Sequence, residues 1–96
     1  MPSCYIIFSL KLNRFYVGAT QDSVSERIEK HNSHTYGAYH FTATADDWEL
    51  FLEIEASDYA QAIRIERRIK DQKSAVFKRN LKKYPELLEK LKLSTK

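Results

Sequence analysis

Two runs of β-branched and aromatic residues, 4–10 (CYIIFSL) and 14–19 (RFYVGA), are separated only by the short polar interruption Lys11-Leu12-Asn13. So short a connection forces the chain back on itself, and the pair reads as a β-hairpin. Register decides what the hairpin presents. If the numbers of paired residues add to an odd sum, Tyr5 and Tyr16 share a face; an even sum puts them on opposite faces. A two-residue turn at Lys11 and Leu12, or a four-residue loop closed by Ser9 and Arg14, gives the odd sum.

Beyond the hairpin, Ser23-Val24-Ser25-Glu26 has the form of a capping box: a hydroxyl placed for an orphan amide, and a carboxylate three residues on that reaches back. It predicts a helix through Arg27, Ile28 and His31, with Val24 and Ile28 as its apolar stripe, ending at Asn32 and Ser33 before a loop that contains Gly37. Arg27 and His31 are four apart and stack on one helix face. Residues 48–55 (WELFLEIE) alternate, which predicts a strand with Trp48, Leu50, Leu52 and Ile54 on one face and the mainly polar set Glu49, Phe51, Glu53 and Glu55 on the other. Asp58 and Gln61 form a second capping box, and Ala62, Ile65 and Ile69 follow at helical spacing as far as Lys73. Ala75, Val76, Phe77 and Leu81 indicate a short helix, and Pro85 suits the first turn of a last one carrying Leu87, Leu88 and Leu91, whose apolar face is expected to pack on the core, with a second copy of the chain as the alternative. Residues 94–96 are expected to fray. The order ββαβα(α) implies an α+β fold, a three-stranded antiparallel sheet flanked by helices.

A chain of 96 residues is one domain, since a core of this size does not divide into two stable units. Hydrophobic residues make up 43% and charged residues 30%, with two glycines and two prolines, which excludes a disordered tail. Cys4 is the only cysteine, so an intrachain disulfide and a thiolate zinc site are both excluded, and a reducing, cytoplasmic setting fits best. No stretch approaches the roughly 18 consecutive apolar residues of a spanning helix. The first residues also lack a basic segment followed by an apolar one and a cleavage site, so a soluble, unprocessed chain without a membrane partner is expected. The formal charge of +3 leans only weakly toward a polyanionic partner. Its distribution says more: acids gather in residues 46–58, while Lys70, Lys73, Lys78, Arg79, Lys82 and Lys83 form a basic stretch. On charge alone, a solvated helix face is the preferred explanation of that stretch.

Glu66 falls mid-helix with Ala62, Ile63 and Ile69 as neighbours, so its carboxylate sits beside apolar surface and needs a partner. A salt bridge to Lys70 at i+4 is the commoner solution for a helix glutamate. A hard divalent cation is the other, because Mg²⁺ often uses one or two protein carboxylates and completes its shell with water and phosphate. Tyr5 and Tyr16, taken singly, are ordinary half-buried strand tyrosines. Arg27 and His31 default to solvated helix residues, although one offers a planar fork for phosphate and the other titrates near neutrality. His34 and His40 give no metal-ligand spacing with His31.

Taken together and in order, these residues resemble the GIY-YIG endonuclease family, in the manner of its small freestanding bacterial members, over residues 3–80. Ser3-Cys4-Tyr5 stands in the place of the first tripeptide and keeps its tyrosine; Tyr16-Val17-Gly18, eleven residues after Tyr5, keeps the second almost intact. The helix VSERIEKHN is similar to the family's first helix, where an arginine and a His or Tyr four residues later reach the phosphate. Gly37-Ala38-Tyr39-His40-Phe41-Thr42 with Trp48-Glu49-Leu50 resembles the loop and third strand, and AIRIERRIK resembles the metal-binding helix with Glu66 as ligand. Asn80 stands near the family's downstream asparagine. Ala19 follows the second tripeptide where some members carry a basic residue that activates a tyrosine.

The resemblance implies a metal-dependent endonuclease that hydrolyses phosphodiester bonds in nucleic acid, DNA ahead of RNA, by in-line attack of water with one Mg²⁺ (or Mn²⁺). Tyr5 or Tyr16, with Tyr5 slightly preferred, would accept the water's proton, which requires a phenol of ordinary pKa about 10 to be assisted by a cation or by solvent. Arg27 would donate to nonbridging oxygens, His31 would position water or phosphate, and Glu66 would hold the metal. Lys11, Arg14, Lys70, Lys73 and Asn80 would hold the nucleic-acid backbone without reading its sequence. Residues 1–84 would form the nuclease domain and 85–96 a helical extension packed on it. A catalytically idle nucleic-acid- or protein-binding module on the same fold is the competing class, and a nuclease whose specificity comes from a partner protein is a third.

Overall fold

The computed structural model describes residues 1–33 and 45–96. The hairpin forms from β1 (Ser3–Ser9) and β2 (Arg14–Thr20), paired from Ser3↔Thr20 to Ser9↔Arg14. This is the odd-sum register closed by a four-residue loop, so Tyr5 and Tyr16 share a face. The loop turns at Asn13, which adopts the left-handed φ of 52° that asparagine tolerates. Asp47 fastens the turn from outside: its carboxylate accepts from Ser9 Oγ at 2.6 Å and from the Lys11 amide at 2.9 Å.

Those two bonds, Ser9 first, hold the Asp47 carboxyl below its usual range. A depressed folded-state pKa means that the stabilisation is complete above the unfolded value and is lost as pH falls through the folded one. The wild type is therefore expected to lose stability below pH about 4, and Asp47→Asn to flatten that loss, as urea unfolding across that range would show. An unchanged acid limb would contradict it.

β3 (Trp48–Glu55) pairs antiparallel with the other edge of β1, giving the order β2-β1-β3. Here the expectation of one apolar face is corrected. Ile7 lies opposite Leu50 but Ile6 lies opposite Leu52, which leaves Phe51 as the extra residue of a bulge. Trp48 joins the cluster of Tyr5, Ile7, Val24 and Ala45, whereas Ile54 joins Cys4, Ile6 and Val17 on the opposite face, with Leu52 packed against them. One inserted residue reverses the facing of everything beyond it, and a period of two in the sequence does not reveal it.

The sheet thus has two apolar faces. Helix α1 (Val24–Asn32), capped by Ser23, lies on the first through Val24 and Ile28. On the second lie α2 (Tyr59–Gln72), α3 (Ala75–Lys83) and α4 (Pro85–Ser94), which contribute Ala62, Ile65 and Ile69, then Leu81, then Leu91. Asp58 caps α2 by accepting from the Gln61 amide at 2.7 Å. The Gln61 side chain reaches one residue further back than a capping box requires, accepting from the Ser57 amide at 2.7 Å, and donates to the Lys92 carbonyl at 3.1 Å. The chain end is not frayed at Thr95: its carbonyl accepts from Arg64 Nε at 2.6 Å, and its buried hydroxyl donates to the Leu91 carbonyl at 2.9 Å. Among the described residues, no helix is long and apolar enough to cross a membrane.

Candidate active site

Strand β2 is a sheet edge, and alternation sends Tyr16, Gly18 and Thr20 toward α1 and Phe15, Val17 and Ala19 toward α2. Tyr5, paired with Gly18 from the central strand, lays its phenol across that glycine. A Cβ added at position 18 would stand 2.5 Å from the Tyr5 hydroxyl oxygen and 2.6 Å from Cζ. The glycine of the second tripeptide is therefore required by the tyrosine of the first.

The Tyr5 hydroxyl shares a 2.9 Å hydrogen bond with His31 Nε2, and each residue is only 2% exposed. The phenol donates when Nε2 carries no proton, so the direction of the bond follows the tautomer. Tyr16 is half-buried, its ring centroid 5.1 Å from that of His31 and 6.5 Å from that of Trp48. His31 is held in place by its neighbour. The Asn32 amide accepts from the Trp48 N–H at 2.7 Å and donates to the Trp48 carbonyl at 3.0 Å, pinning the last turn of α1 to the start of β3. Asn32→Ala is expected to lower stability by about 2 kcal/mol, read by urea unfolding, with weakened protection of the α1 amides. Wild-type stability in the variant would show the bridge to be idle.

One helical turn before His31, Arg27 Nε donates to Thr20 Oγ1 at 3.1 Å, and the same oxygen accepts from the Asp22 amide at 2.9 Å. This places the guanidinium at the far end of β2. Tyr16, Tyr5 over Gly18, and Arg27 at Thr20 thus follow one another along the α1 side of the strand.

Glu66 approaches from the other side. On α2 its side chain is 20% exposed, and Lys70 Nζ lies 2.7 Å from Oε2, so the i+4 bridge is formed. The same Nζ lies 5.6 Å from the centroid of the Tyr16 ring. Because Tyr16 belongs to the α1 side, Lys70 reaches round the open edge of β2 and connects the carboxylate with the phenol. Beneath, burial first and the Glu66 carboxylate second push the Cys4 thiol far above its usual range, which leaves it inert.

Among the described residues, no three His, Cys, Asp or Glu side chains gather as a metal cluster. A single half-shielded carboxylate already holding a cation nevertheless suits Mg²⁺, which asks for few protein ligands and hard oxygens. Of the other sequence candidates, Lys11 Nζ lies 3.3 Å from Asp46, Arg14 is exposed at the start of β2, and Lys73 ends α2 with a φ of 50°. The Asn80 carbonyl accepts from the Tyr84 amide. His34, His40 and the segment from Gly37 to Thr42 lie outside the described residues. The bond of Thr20 to Arg27 and that of Asn32 to Trp48 were not legible in the sequence, because each joins residues of different elements and neither motif nor periodicity marks the pairing.

A family model, the GIY-YIG catalytic domain, matches residues 1–80, a span that contains Tyr5, Tyr16, Arg27, His31 and Glu66. No curated protein matches the chain, and no solved structure does.

Proposed function

The chain belongs to the GIY-YIG family, whose activity is of the nuclease type, and on that premise we propose a metal-dependent endonuclease that hydrolyses phosphodiesters, DNA ahead of RNA, by in-line attack of water. The observation that carries this reading is Lys70, bonded to Glu66 and over the Tyr16 ring, because it brings the α2 carboxylate toward the hairpin at one open strand edge.

Glu66 would hold Mg²⁺ or Mn²⁺, and Lys70 would yield the carboxylate to it. When bound, the cation supplies Lewis-acid stabilisation of the departing oxygen. Arg27 presents a planar fork to the nonbridging oxygens, where charge grows during attack. Tyr5 accepts the water's proton, and His31 Nε2 at 2.9 Å gives that phenol an acceptor of its own. Tyr16, against the His31 ring, orders water at the strand edge. Ala19 stands where some family members carry a basic residue, and Lys70 brings a cation to Tyr16 from α2 instead. Lys11, Arg14, Lys70, Lys73 and Asn80 hold the backbone of the substrate. The nuclease domain spans residues 1–84, with 85–96 as an extension docked upon it, and the protein works in a reducing, cytoplasmic setting.

Supercoiled plasmid tests the proposal. Wild type is expected to nick it with Mg²⁺ or Mn²⁺ and to stop in EDTA, and Arg27→Ala is expected to slow nicking by roughly two orders of magnitude. DNA binding with no cleavage under any divalent cation would leave a binding module. Cleavage that appears only with an added protein would assign specificity to a partner.

A further inference from the structure

Between the hairpin loop and the start of α3 lies an open cleft of about 460 Å³, lined by Arg14, Lys73, Lys78 and Arg79 with Asn13 and Phe15. No carboxylate lines it. The ion pairs among the described residues are Lys11 with Asp46 and Lys70 with Glu66, so none of these four cations belongs to one. Lys78 is half-buried and Nζ reaches only the Ser74 carbonyl at 3.5 Å; burial holds its ammonium below the usual range. The Arg79 guanidinium lies over the Phe15 ring, 5.9 Å from its centroid, which fixes the plane of its donors and covers the aromatic face. Gathering four like charges around a hollow is unfavourable unless an anion enters it.

The cleft adjoins the candidate active site along both elements that build it. Arg14 precedes Tyr16 by two residues on β2, about 7 Å along the strand, and Lys73 follows Lys70 by three on α2, about 4.5 Å along the axis. A larger cleft among the described residues, about 680 Å³ between α1 and β3, is lined by Asp22, Glu53 and Glu55 and repels a polyanion.

We infer that the Arg14, Lys73, Lys78 and Arg79 cleft is a phosphate subsite, holding a phosphodiester of the nucleic-acid strand next to the one that is cut. The inference rests on the nuclease reading and deepens it. Arg14 and Lys73, already proposed as backbone contacts, fall in this cleft, and Lys78 and Arg79 join them there. With its aromatic face covered, the cleft reads charge and not bases, so binding is indifferent to sequence. The substrate strand runs along β2 toward the hairpin loop and α3, away from the acidic side of the sheet.

The test is binding of a short mixed-sequence DNA duplex by the full chain in EDTA, followed by fluorescence anisotropy over a range of salt. Each phosphate contact contributes about 0.9 to the slope of log affinity against log salt. Removing all four cations with Lys78→Gln, Arg79→Gln, Arg14→Gln and Lys73→Asn is expected to lower that slope by about 0.9, the contribution of one neutralised phosphate, and the double variant Lys78→Gln/Arg79→Gln is expected to take the larger part of that loss. The control Lys90→Gln/Lys96→Gln removes the same charge as the double variant from the exposed part of α4 and the chain end, and is expected to leave the slope unchanged. Equal losses in the cleft and control variants would reduce the effect to net charge and overturn the subsite. Retention of duplex by the quadruple variant, or capture of poly-glutamate in preference to duplex, would also overturn it. Because cleavage plays no part in the readout, a cleft-dependent slope in a protein that never nicks DNA would sink the nuclease reading and keep the subsite. Nicking with a slope that ignores the cleft would do the reverse.

Discussion

Glu66→Ala is expected to leave a folded protein whose plasmid-nicking rate is lower by roughly three orders of magnitude. The two halves of that expectation come from different features of one side chain. For stability, the carboxylate offers an i,i+4 bridge whose ammonium is half exposed, and such pairs contribute well under about 1 kcal/mol. For activity, it is the one α2 carboxylate that Lys70 links to Tyr16, and no neighbouring acid is gathered to replace it among the described residues. Glu66→Gln keeps the shape and loses the charge, so it should behave as Glu66→Ala does. Thermal unfolding and initial nicking rates read the two halves separately. A variant with the wild-type rate would remove Glu66 from the site, and a variant that fails to fold would show that the bridge to Lys70 is structural.

Gly18→Ala is expected to lower activity by about a hundredfold and stability by about 2–3 kcal/mol. The added methyl would meet the Tyr5 hydroxyl oxygen at 2.5 Å, and the ring behind it is wholly buried against His31. Either the phenol turns off its rotamer and leaves Nε2, or β2 moves away from β1; both disturb the proposed proton acceptor. Removing the hydroxyl alone does not relieve the clash, because the ring carbon Cζ stands 2.6 Å from the added methyl, so Gly18→Ala/Tyr5→Phe is expected to keep the stability loss while activity stays low. Wild-type stability in the single variant would mean that the strand pair gives way at no cost, contrary to the packing described above.

Much of the fold was legible because local signals agreed with one another. The hairpin, both helix N-caps at Ser23 and Asp58, and the first turn at Pro85 all follow from short patterns, and the parity of the hairpin reduced the placement of Tyr5 and Tyr16 to a choice of two. Sequence failed where one residue changes a global property. Phe51 inserts a bulge that turns Leu52 and Ile54 to the opposite face from Trp48, and nothing in an alternating strand announces it. At the site, the spacing of Arg27 and His31 was readable, but the buried bond from His31 to Tyr5 was not. It depends on Asn32 fastening α1 to β3, a contact between side-chain amide and backbone that leaves no periodic trace. Lys70 shows the same limit. Its bridge to Glu66 follows from i+4 spacing, whereas its approach to Tyr16 depends on how α2 crosses the sheet edge.

The proposed site requires Glu66 and the hairpin tyrosines to serve one locus around the free edge of β2. Titration of ¹⁵N-labelled protein with Mn²⁺, read as paramagnetic broadening of the amide resonances, decides whether they do. Broadening is predicted to centre on Glu66 and Lys70 in α2, to extend to Tyr16 and its neighbours in β2, and to vanish in Glu66→Ala. Broadening centred instead on Asp22, Glu53 and Glu55, and unchanged by that substitution, would contradict it.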